Sequence, residues 1–170
     1  SMTRMVYGAR LALLGAWWVQ LLGESLGKAG RGFLPNVAEG PKDQHSLLQY
    51  LIAGPPDGVV IFLQDSSPGA AAAAGPDLLG LGDVGLSQIG AVLCDANARA
   101  LDDAGRPIAT HRMRPTAPAV GAWMQTWMRA TADLGAALEI DAYDQPAVEA
   151  GKRIAQQLLS AIEPSLPGTR

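Results

Sequence analysis

The chain has 170 residues, the size of a single domain with its own hydrophobic core, and a formal net charge of -3. Its 13 lysine and arginine residues are scattered rather than clustered, which argues against a nucleic-acid-binding surface. The single cysteine, Cys94, cannot form an internal disulfide and no metal-binding spacing accompanies it, so we expect a cytoplasmic protein with an inert, buried thiol and no metal.

The most hydrophobic stretch near the N-terminus reads LALLGAWWVQLLGESLG and is interrupted by Gln20 and Glu24. It is therefore too short and too polar to span a bilayer, which takes about 20 apolar residues. No small-residue cleavage site follows the stretch, so it does not read as a signal peptide. We expect no membrane association, and we interpret Ser1-Met2 as the remnant of a tag.

The first half of the chain predicts alternating strands and helices. Apolar residues recur with the helical period after Gly8, whereas GVVIFLQ is a continuous apolar run of the kind found in buried parallel strands. In chain order we predict a strand at 3–7, a helix from Gly8 to a stop at Gly27, a loop with a brief extended piece at 30–41, a helix at 44–53 capped by Asp43, and a strand at 58–64.

The second half continues this alternation after a low-complexity loop at 65–77. We predict a helix at 87–103, a strand at 107–113, a helix at 118–138 and a last helix at 145–162. The alternation predicts an α/β fold, a three-layer sandwich with a mostly parallel sheet flanked by helices. Three or four strands are few for a doubly wound sheet, so we expect further N-terminal strands upstream of Ser1.

The last predicted helix carries a candidate site. Asp144 or Gln145 occupies its cap and Pro146 its first turn, where the missing N–H of proline costs nothing. Seven residues turn a helix to within about 20° of its starting direction, so Gln145 and Lys152 project from one face, two turns apart. The alternative interpretation of Lys152 is an ordinary solvated lysine.

Two further residues are candidates for proton transfer. His45 lies in the first turn of its predicted helix, where the positive end of the helix dipole favours a neutral ring that exchanges protons near pH 7. Glu24 ends an apolar helix just before a glycine turn, and a carboxylate held against apolar neighbours suits a general base. The alternatives are a structural, hydrogen-bonding histidine and an ordinary helix-terminal glutamate.

Three short segments together carry a family resemblance. ESLGK at 24–28, DQHSLLQ at 43–49 and DQPAVEAGK at 144–152 resemble, in order and spacing, the C-terminal signatures of the glucose-6-phosphate isomerase (phosphoglucose isomerase) family. The resemblance extends from VYGARL near the N-terminus to the final helix. It implies a sugar-isomerase (SIS) fold and the aldose-to-ketose isomerisation of glucose 6-phosphate to fructose 6-phosphate.

The resemblance also implies a role for each matched residue. Glu24 would be the base that moves a proton between C2 and C1 through a cis-enediol, and Gln145 would line the substrate site. His45 and Lys152 would open the sugar ring, with His45 contributed across the interface of a homodimer. One carboxylate can serve both carbons, and a histidine and a lysine can share the two proton transfers of ring opening, so no metal or organic cofactor is implied.

The chain departs from the family pattern in two respects. Leu26 stands at the third position of the E-S-x-G-K motif, where asparagine is usual. The sequence has no Ser/Thr-rich phosphate-binding loop, and QDSSPG at 64–69 is only a weak substitute. We therefore interpret residues 1–170 as a single C-terminal SIS-like domain of a larger isomerase, which by itself has little or no activity because the phosphate-binding half is missing.

Two other classes of function stay open at this point. A free-standing SIS module would bind a phosphosugar or a partner protein without doing chemistry. An apolar stripe at helical spacing, formed by Trp123, Met124, Trp127 and Met128, is either part of the core or a surface that another domain or subunit covers.

Overall fold

Four strands form one parallel sheet in the computed structural model, which describes residues 1–67 and 84–162. The strands are β1 (Met2–Tyr7), β2 (Pro35–Gly40), β3 (Val59–Asp65) and β4 (Ile108–Met113), and their order in the sheet is β2-β1-β3-β4. The central strands β1 and β3 are buried along almost their whole length, as expected for apolar strands covered on both faces. The predicted α/β fold with a parallel sheet is confirmed.

The described part of the chain contains five helices, four of which cover the sheet. They are α1 (Ala12–Leu26), α2 (Gln44–Ala53), α3 (Leu86–Asp103), α4 (Ala117–Ala137) and α5 (Ala147–Ser160), and a single 3-10 turn (Ala9–Leu11) leads into α1. The predicted helices agree with these to within a few residues at their ends. The low-complexity segment 65–77 lies outside the described residues from position 68 onward.

The helices form the two outer layers of the predicted sandwich. α1 and α4 cover one face of the sheet around Trp18 and Trp127, whereas α2 and α3 cover the other face around Phe62 and Leu101. The chain leaves β1 through α1 to reach β2 and then returns through α2, on the opposite face, to β3. The direction of winding therefore reverses between the neighbouring strands β1 and β3, which makes their carboxyl ends a topological switch point.

The strands all run in one direction, so the sheet has one side where the strands end, called here the carboxyl edge, and one side where they begin, called the amino edge. The carboxyl edge contains the strand ends at Tyr7, Gly40 and Asp65, and the amino edge contains the strand starts at Met2 and Pro35. Each helix that follows a strand begins at the carboxyl edge and runs back toward the amino edge. Ser1 and Met2 take part in this fold, since Met2 begins β1 and the Ser1 amino group donates to the Asp57 carbonyl at 2.7 Å.

Three local predictions need correction. The segment expected to hold only a brief extended piece forms β2, whose partly exposed residues show no alternating pattern and which is held by its pairing with β1. The Asp43 side chain does not cap α2; it accepts a hydrogen bond at 2.8 Å from the backbone N–H of Glu39 instead. Pro146, rather than Asp144 or Gln145, occupies the cap position of α5.

The tryptophans of the predicted stripe belong to the core. Trp123 and Trp127 are buried between α4 and the sheet, and Trp18 of α1 meets Trp127 edge to face with ring centroids 5.4 Å apart. Arg4 of β1 lies fully buried among these rings, with its guanidinium carbon 4.4 Å from the Trp18 centroid and 4.5 Å from the Trp127 centroid. The core interpretation of the two tryptophans is therefore confirmed, with a buried cation that the sequence did not predict.

Cys94 lies on the other face of the sheet. It is buried among the apolar residues under α2 and α3, and this burial raises the pKa of its thiol to about 12. The thiol stays protonated at neutral pH and is therefore a poor nucleophile, as predicted.

Candidate active site

The end of α1 lies at the amino edge of the sheet. A Cβ atom added at Gly23 would lie 3.7 Å from Cγ of Pro35, the first residue of β2. Glu24 follows directly and points away from the core, because the buried positions in this part of the helix are Leu22 and Leu26. Its carboxylate is exposed and accepts a hydrogen bond at 3.1 Å from Nε2 of Gln20.

The surroundings expected for Glu24 therefore differ from those in the structure. The prediction placed this carboxylate against apolar neighbours, whereas the described part of the chain leaves it exposed on the outer side of α1. The physical reason is the helical period: the apolar stripe of α1 faces the sheet, and Glu24 falls between two of its members.

Lys28 joins the end of α1 to the start of α5. Its Nζ donates to Oδ1 of Asp144 at 2.6 Å and also to the backbone carbonyls of Asp141 and Asp144. The Lys28 side chain is only 13 % exposed, so these three oxygens replace most of its water. This contact brings the ESLGK and DQPAVEAGK segments together, although they lie more than 110 residues apart along the chain.

Arg31 reinforces this connection. Its Nη1 donates to the carboxylate of Glu139 at 2.9 Å and to the Leu138 carbonyl at the end of α4. We did not predict a role for Lys28 or Arg31 from the sequence. For Lys28 a signal was present, since it is the lysine of the ESLGK segment itself.

Gln145, predicted to lie in the last helix, precedes its cap residue Pro146, whereas Lys152 lies in the second turn of α5. Both are exposed, as is every described residue of α5. Lys152 pairs with Glu149, one turn earlier, at 2.7 Å between Nζ and Oε1. The structure thus brings Gln145 and the start of α5 close to the end of α1, and it gives Lys152 a surface partner that a substrate would have to displace.

His45 lies at the opposite edge of the sheet. It belongs to the first turn of α2, and the neighbouring Gln44 accepts a hydrogen bond at 2.6 Å from the hydroxyl of Tyr7, the last residue of β1. The His45 ring is exposed at this carboxyl edge, whereas Glu24 is at the amino edge. Within one chain the two side chains do not meet, so a site that uses both requires a second copy of the chain.

The described residues offer neither a metal cluster nor a membrane span. In that part of the chain no three His, Cys, Asp or Glu side chains form a group that could hold a metal ion. No helix among those residues is both long and apolar enough to cross a membrane.

Several known proteins are similar to this chain in sequence. No family model matches the chain. A glucose-6-phosphate isomerase of Rubrobacter xylanophilus is 45% identical over 161 residues, which cover 88% of this chain and 36% of that protein. A glucose-6-phosphate isomerase of Thermus thermophilus is 36% identical over 168 residues, which cover 92% of this chain and 40% of that protein.

Solved structures show the same architecture. A Thermus thermophilus protein described as hypothetical superimposes with a TM-score of 0.83 at 34% identity, over 94% of this chain and 41% of that one. A glucose-6-phosphate isomerase of Chlamydia trachomatis superimposes with a TM-score of 0.69 at 19% identity, over 98% of this chain and 35% of that one, which supports the fold. The chain spans less than half the length of the relatives that it matches. Over the segment that it spans, the chain is similar to glucose-6-phosphate isomerases at 45% and 36% identity, and it shares the fold of a solved one.

Proposed function

We propose that the protein to which this chain belongs interconverts glucose 6-phosphate and fructose 6-phosphate, and that residues 1–170 are its C-terminal SIS-like domain. The observation that supports this most directly is the contact between Lys28, at the end of ESLGK, and Asp144, at the start of DQPAVEAGK. This contact joins the turn after α1, the helix that carries Glu24, to the connection that contains Gln145 and leads into α5, the helix that carries Lys152. One substrate can then meet groups from both helices.

Glu24 is the proposed base. A single carboxylate can remove the proton from C2 of the sugar and return it to C1 through a cis-enediol, so one residue serves both steps. Proton transfer of this kind works best where water is excluded from the site. Because Glu24 is exposed here, the substrate and the remainder of the longer protein have to cover it.

Lys152, Gln145 and His45 are the proposed ring-opening and substrate-binding groups. The pair between Lys152 and Glu149 is exposed on both sides, and such surface pairs contribute little free energy, so a sugar oxygen can replace Glu149 as the partner of Lys152. Gln145 lies in the connection just before the cap of α5, so helical spacing does not place it on one face with Lys152, but its amide can donate to a sugar hydroxyl. His45 would reach the site from a second copy of the chain, because it lies at the other edge of the sheet.

The proposed chemistry consists of proton transfers among side chains and sugar oxygens, so it calls for neither a metal nor an organic cofactor. We propose a homodimer, since a shared site needs two copies to bring His45 and Glu24 together. We also propose a cytoplasmic location, in line with the single unpaired cysteine.

The proposal is tested by measuring turnover of glucose 6-phosphate in a coupled assay, on both the longer protein and the 170-residue chain. In the longer protein, Glu24→Gln should lower kcat by about 100-fold to 10,000-fold with a smaller effect on KM, because the base acts in the chemical step. The 170-residue chain alone should show little or no turnover, because the substrate phosphate is not held.

The matched control is Glu39→Gln, which removes an exposed carboxylate from β2 and should leave kcat within a factor of two or so. Normal turnover in the Glu24→Gln protein would exclude Glu24 as the base. Full turnover by the 170-residue chain would contradict the assignment of the phosphate site to the remainder of the protein. Sugar phosphate binding without any turnover in the longer protein would favour the non-catalytic binding module instead.

A further inference from the structure

Helix α2, which carries His45, is held to the rest of the domain by few apolar contacts. None of its ten residues is fully buried. It packs on the core through the partly buried side chains of Leu48, Leu51 and Ile52, all of which lie beyond its first turn. Because tertiary packing is what normally fixes a short helix, the first turn of α2 and His45 within it need other contacts to hold their position.

A ring of three polar side chains supplies such contacts. The Tyr7 hydroxyl donates to Oε1 of Gln44 at 2.6 Å, and Nδ2 of Asn97 donates to the same oxygen at 2.6 Å and to the Tyr7 hydroxyl at 2.9 Å. Tyr7 is only 4 % exposed and Asn97 only 7 %. The ring therefore joins the end of β1 and the body of α3 to the first residue of α2, which directly precedes His45.

The hydrogen bonds of this ring are mutually satisfied. Oε1 of Gln44 accepts two of them, Nδ2 of Asn97 uses both of its protons, and the Tyr7 hydroxyl donates one and accepts one. A buried network whose members are all paired is rigid, and the loss of one member leaves the others unpaired. The Gln44 side chain is thus held in one place, together with the backbone that leads to His45.

The connection that leads into α2 is also fitted around the Tyr7 ring. A Cβ atom at Gly40, the last residue of β2, would collide with this ring, so the close approach requires glycine. Asp43 exchanges two hydrogen bonds with Glu39: its backbone N–H donates to the Glu39 carbonyl at 2.7 Å, and its carboxylate accepts the Glu39 N–H at 2.8 Å. The backbone is therefore fixed up to two residues before His45.

We propose that Tyr7 and Asn97 are positioning residues for His45. Through Gln44 they fix the first turn of α2, and this turn sets the point from which the His45 ring reaches a substrate bound by a second copy of the chain. A displacement of about 1 Å at a catalytic group can lower a rate about 100-fold. The inference rests on the ring-opening role proposed for His45 and adds two buried residues that act on the reaction only through it.

The first test measures turnover of glucose 6-phosphate by the longer protein. Tyr7→Phe keeps the ring of the tyrosine and Asn97→Leu keeps the approximate volume of the asparagine, but each removes two of the three hydrogen bonds. We expect each substitution to lower kcat about tenfold to 100-fold, with a smaller change in KM. Unchanged kcat in both variants would overturn the proposal.

Thr131→Val is the matched control for these variants. The Thr131 hydroxyl is also buried, with the residue 2 % exposed, and donates to the Trp127 carbonyl at 2.7 Å within α4, on the other face of the sheet. Its loss removes a buried hydrogen bond far from α2 and should leave kcat within a factor of about two. A loss of kcat as large as that in Tyr7→Phe would mean that any weakening of the domain lowers turnover, which would overturn the proposal.

A double-mutant cycle separates positioning from damage to the fold. In the His45→Gln background, Tyr7→Phe and Asn97→Leu should lower kcat no further, because the residue that they position is already absent. Equal losses with and without His45 would show a structural role only and overturn the inference. Full turnover of the His45→Gln protein by itself would instead exclude the proposed role of His45, so the two failures are told apart.

Hydrogen exchange of the 170-residue chain provides a measurement that does not depend on turnover. The backbone N–H of Leu47 donates to the Asp43 carbonyl at 3.0 Å and so reports on the first turn of α2. Its exchange should speed up about tenfold in Tyr7→Phe and in Asn97→Leu, but not in Thr131→Val. Unchanged exchange of Leu47 in the first two variants would show that the ring does not fix this turn and would overturn the proposal.

Discussion

Arg4 is the residue whose surroundings depart furthest from expectation, because its buried guanidinium has no hydrogen-bond partner among the described residues. Three tryptophan rings lie within 5.1 Å of its central carbon and provide cation–π attraction in place of hydrogen bonds. Burial also lowers the pKa of Arg4 to about 9. Removing the charge from water costs several kcal/mol, which the aromatic contacts of about 1–2 kcal/mol each have to offset, whereas an apolar side chain in the same place avoids this cost altogether.

We therefore expect Arg4→Met to raise the free energy of unfolding at pH 7 by about 1–3 kcal/mol, as found when buried charges are replaced by apolar side chains of similar volume. Above pH 9 Arg4 releases its proton in the native state but keeps it in the unfolded chain. The free energy of unfolding of the unmodified chain therefore rises with pH. The stability advantage of Arg4→Met shrinks accordingly, by about 1 kcal/mol per pH unit. Urea unfolding at about pH 7 and about pH 10 measures both effects. A variant less stable than the unmodified chain at pH 7 would mean that the tryptophan cage outweighs desolvation.

His111 of β4 is the second titratable group affected by this cage. Its Nδ1 accepts a hydrogen bond from Nε1 of Trp123 at 3.3 Å, and burial together with the positive charge of Arg4 lowers its pKa below 6.5. As the pH falls through 6.5, the unfolded chain takes up a proton that the native state resists, so the free energy of unfolding decreases until the native pKa is passed. Urea unfolding at about pH 7.5 and about pH 5.5 should show this loss.

The loss should be absent in His111→Gln, which cannot take up the proton, and smaller in Arg4→Met, where one cause of the lowered pKa is removed. Measuring the pKa of His111 by NMR in both backgrounds checks the second expectation. An unchanged His111 pKa in Arg4→Met would exclude electrostatic coupling between β1 and β4 at this point.

Among the helices, α5 is the one whose position depends most on a single contact. All its described residues are exposed, and its position relative to α1 is fixed mainly by Lys28, which bonds Asp141 and Asp144 in the preceding connection. Replacing Lys28 by Met leaves these oxygens without their donor, which should cost about 1–3 kcal/mol locally. Amide hydrogen exchange from residue 139 through α5 should therefore speed up about tenfold, while exchange in β1 and β3 stays slow.

Lys42→Met is the matched control for Lys28→Met. Lys42 also pairs with carboxylates, those of Glu39 and Asp43, but its side chain is 70 % exposed. Its loss should change exchange rates little, because exposed ion pairs contribute less than about 1 kcal/mol. Equal effects of the two substitutions would mean that α5 is held by something other than the Lys28 contact.

How far the sequence predicts this structure depends on the range of the contacts involved. The apolar run of β3 and the glycine at the end of α1 act within a few residues, so the pattern alone identifies those elements. The contact between Lys28 and Asp144 joins residues that are 116 positions apart, and the burial of Arg4 depends on tryptophan side chains from two helices, α1 and α4. Local patterns carry no information about such pairs. For this reason only the family resemblance, and not the spacing of residues, predicted that the ESLGK and DQPAVEAGK segments belong to one site.

At the scale of the whole molecule, the parallel topology separates the ESLGK motif, which contains Glu24, from the DQHSLLQ motif, which contains His45. A helix after a parallel strand starts at the carboxyl edge and ends at the amino edge, so Glu24 near the end of α1 and His45 at the start of α2 lie on opposite sides of the sheet. A side chain cannot span this distance. If both residues serve one site, that site must be shared by two copies related by a two-fold axis, and every such dimer has two equivalent sites.

The shared site predicts complementation between two inactive proteins. In the longer protein, the Glu24→Gln and His45→Gln variants should each lose turnover. When subunits of the two variants exchange, they form mixed dimers. In each mixed dimer, one of the two sites has both Glu24 and His45 intact. With random exchange half of the dimers are mixed, so equal amounts should recover about a quarter of the activity of the unmodified protein.

The recovery has a built-in control, because mixing Glu24→Gln subunits with a Glu24→Gln, His45→Gln double variant leaves no site intact and should recover nothing. Recovery should also follow the rate at which subunits exchange, which size-exclusion chromatography of differently tagged subunits measures. Mixed dimers that form without regaining activity would contradict a site shared across the interface, and the opposite positions of Glu24 and His45 on the sheet would then exclude their acting in one reaction.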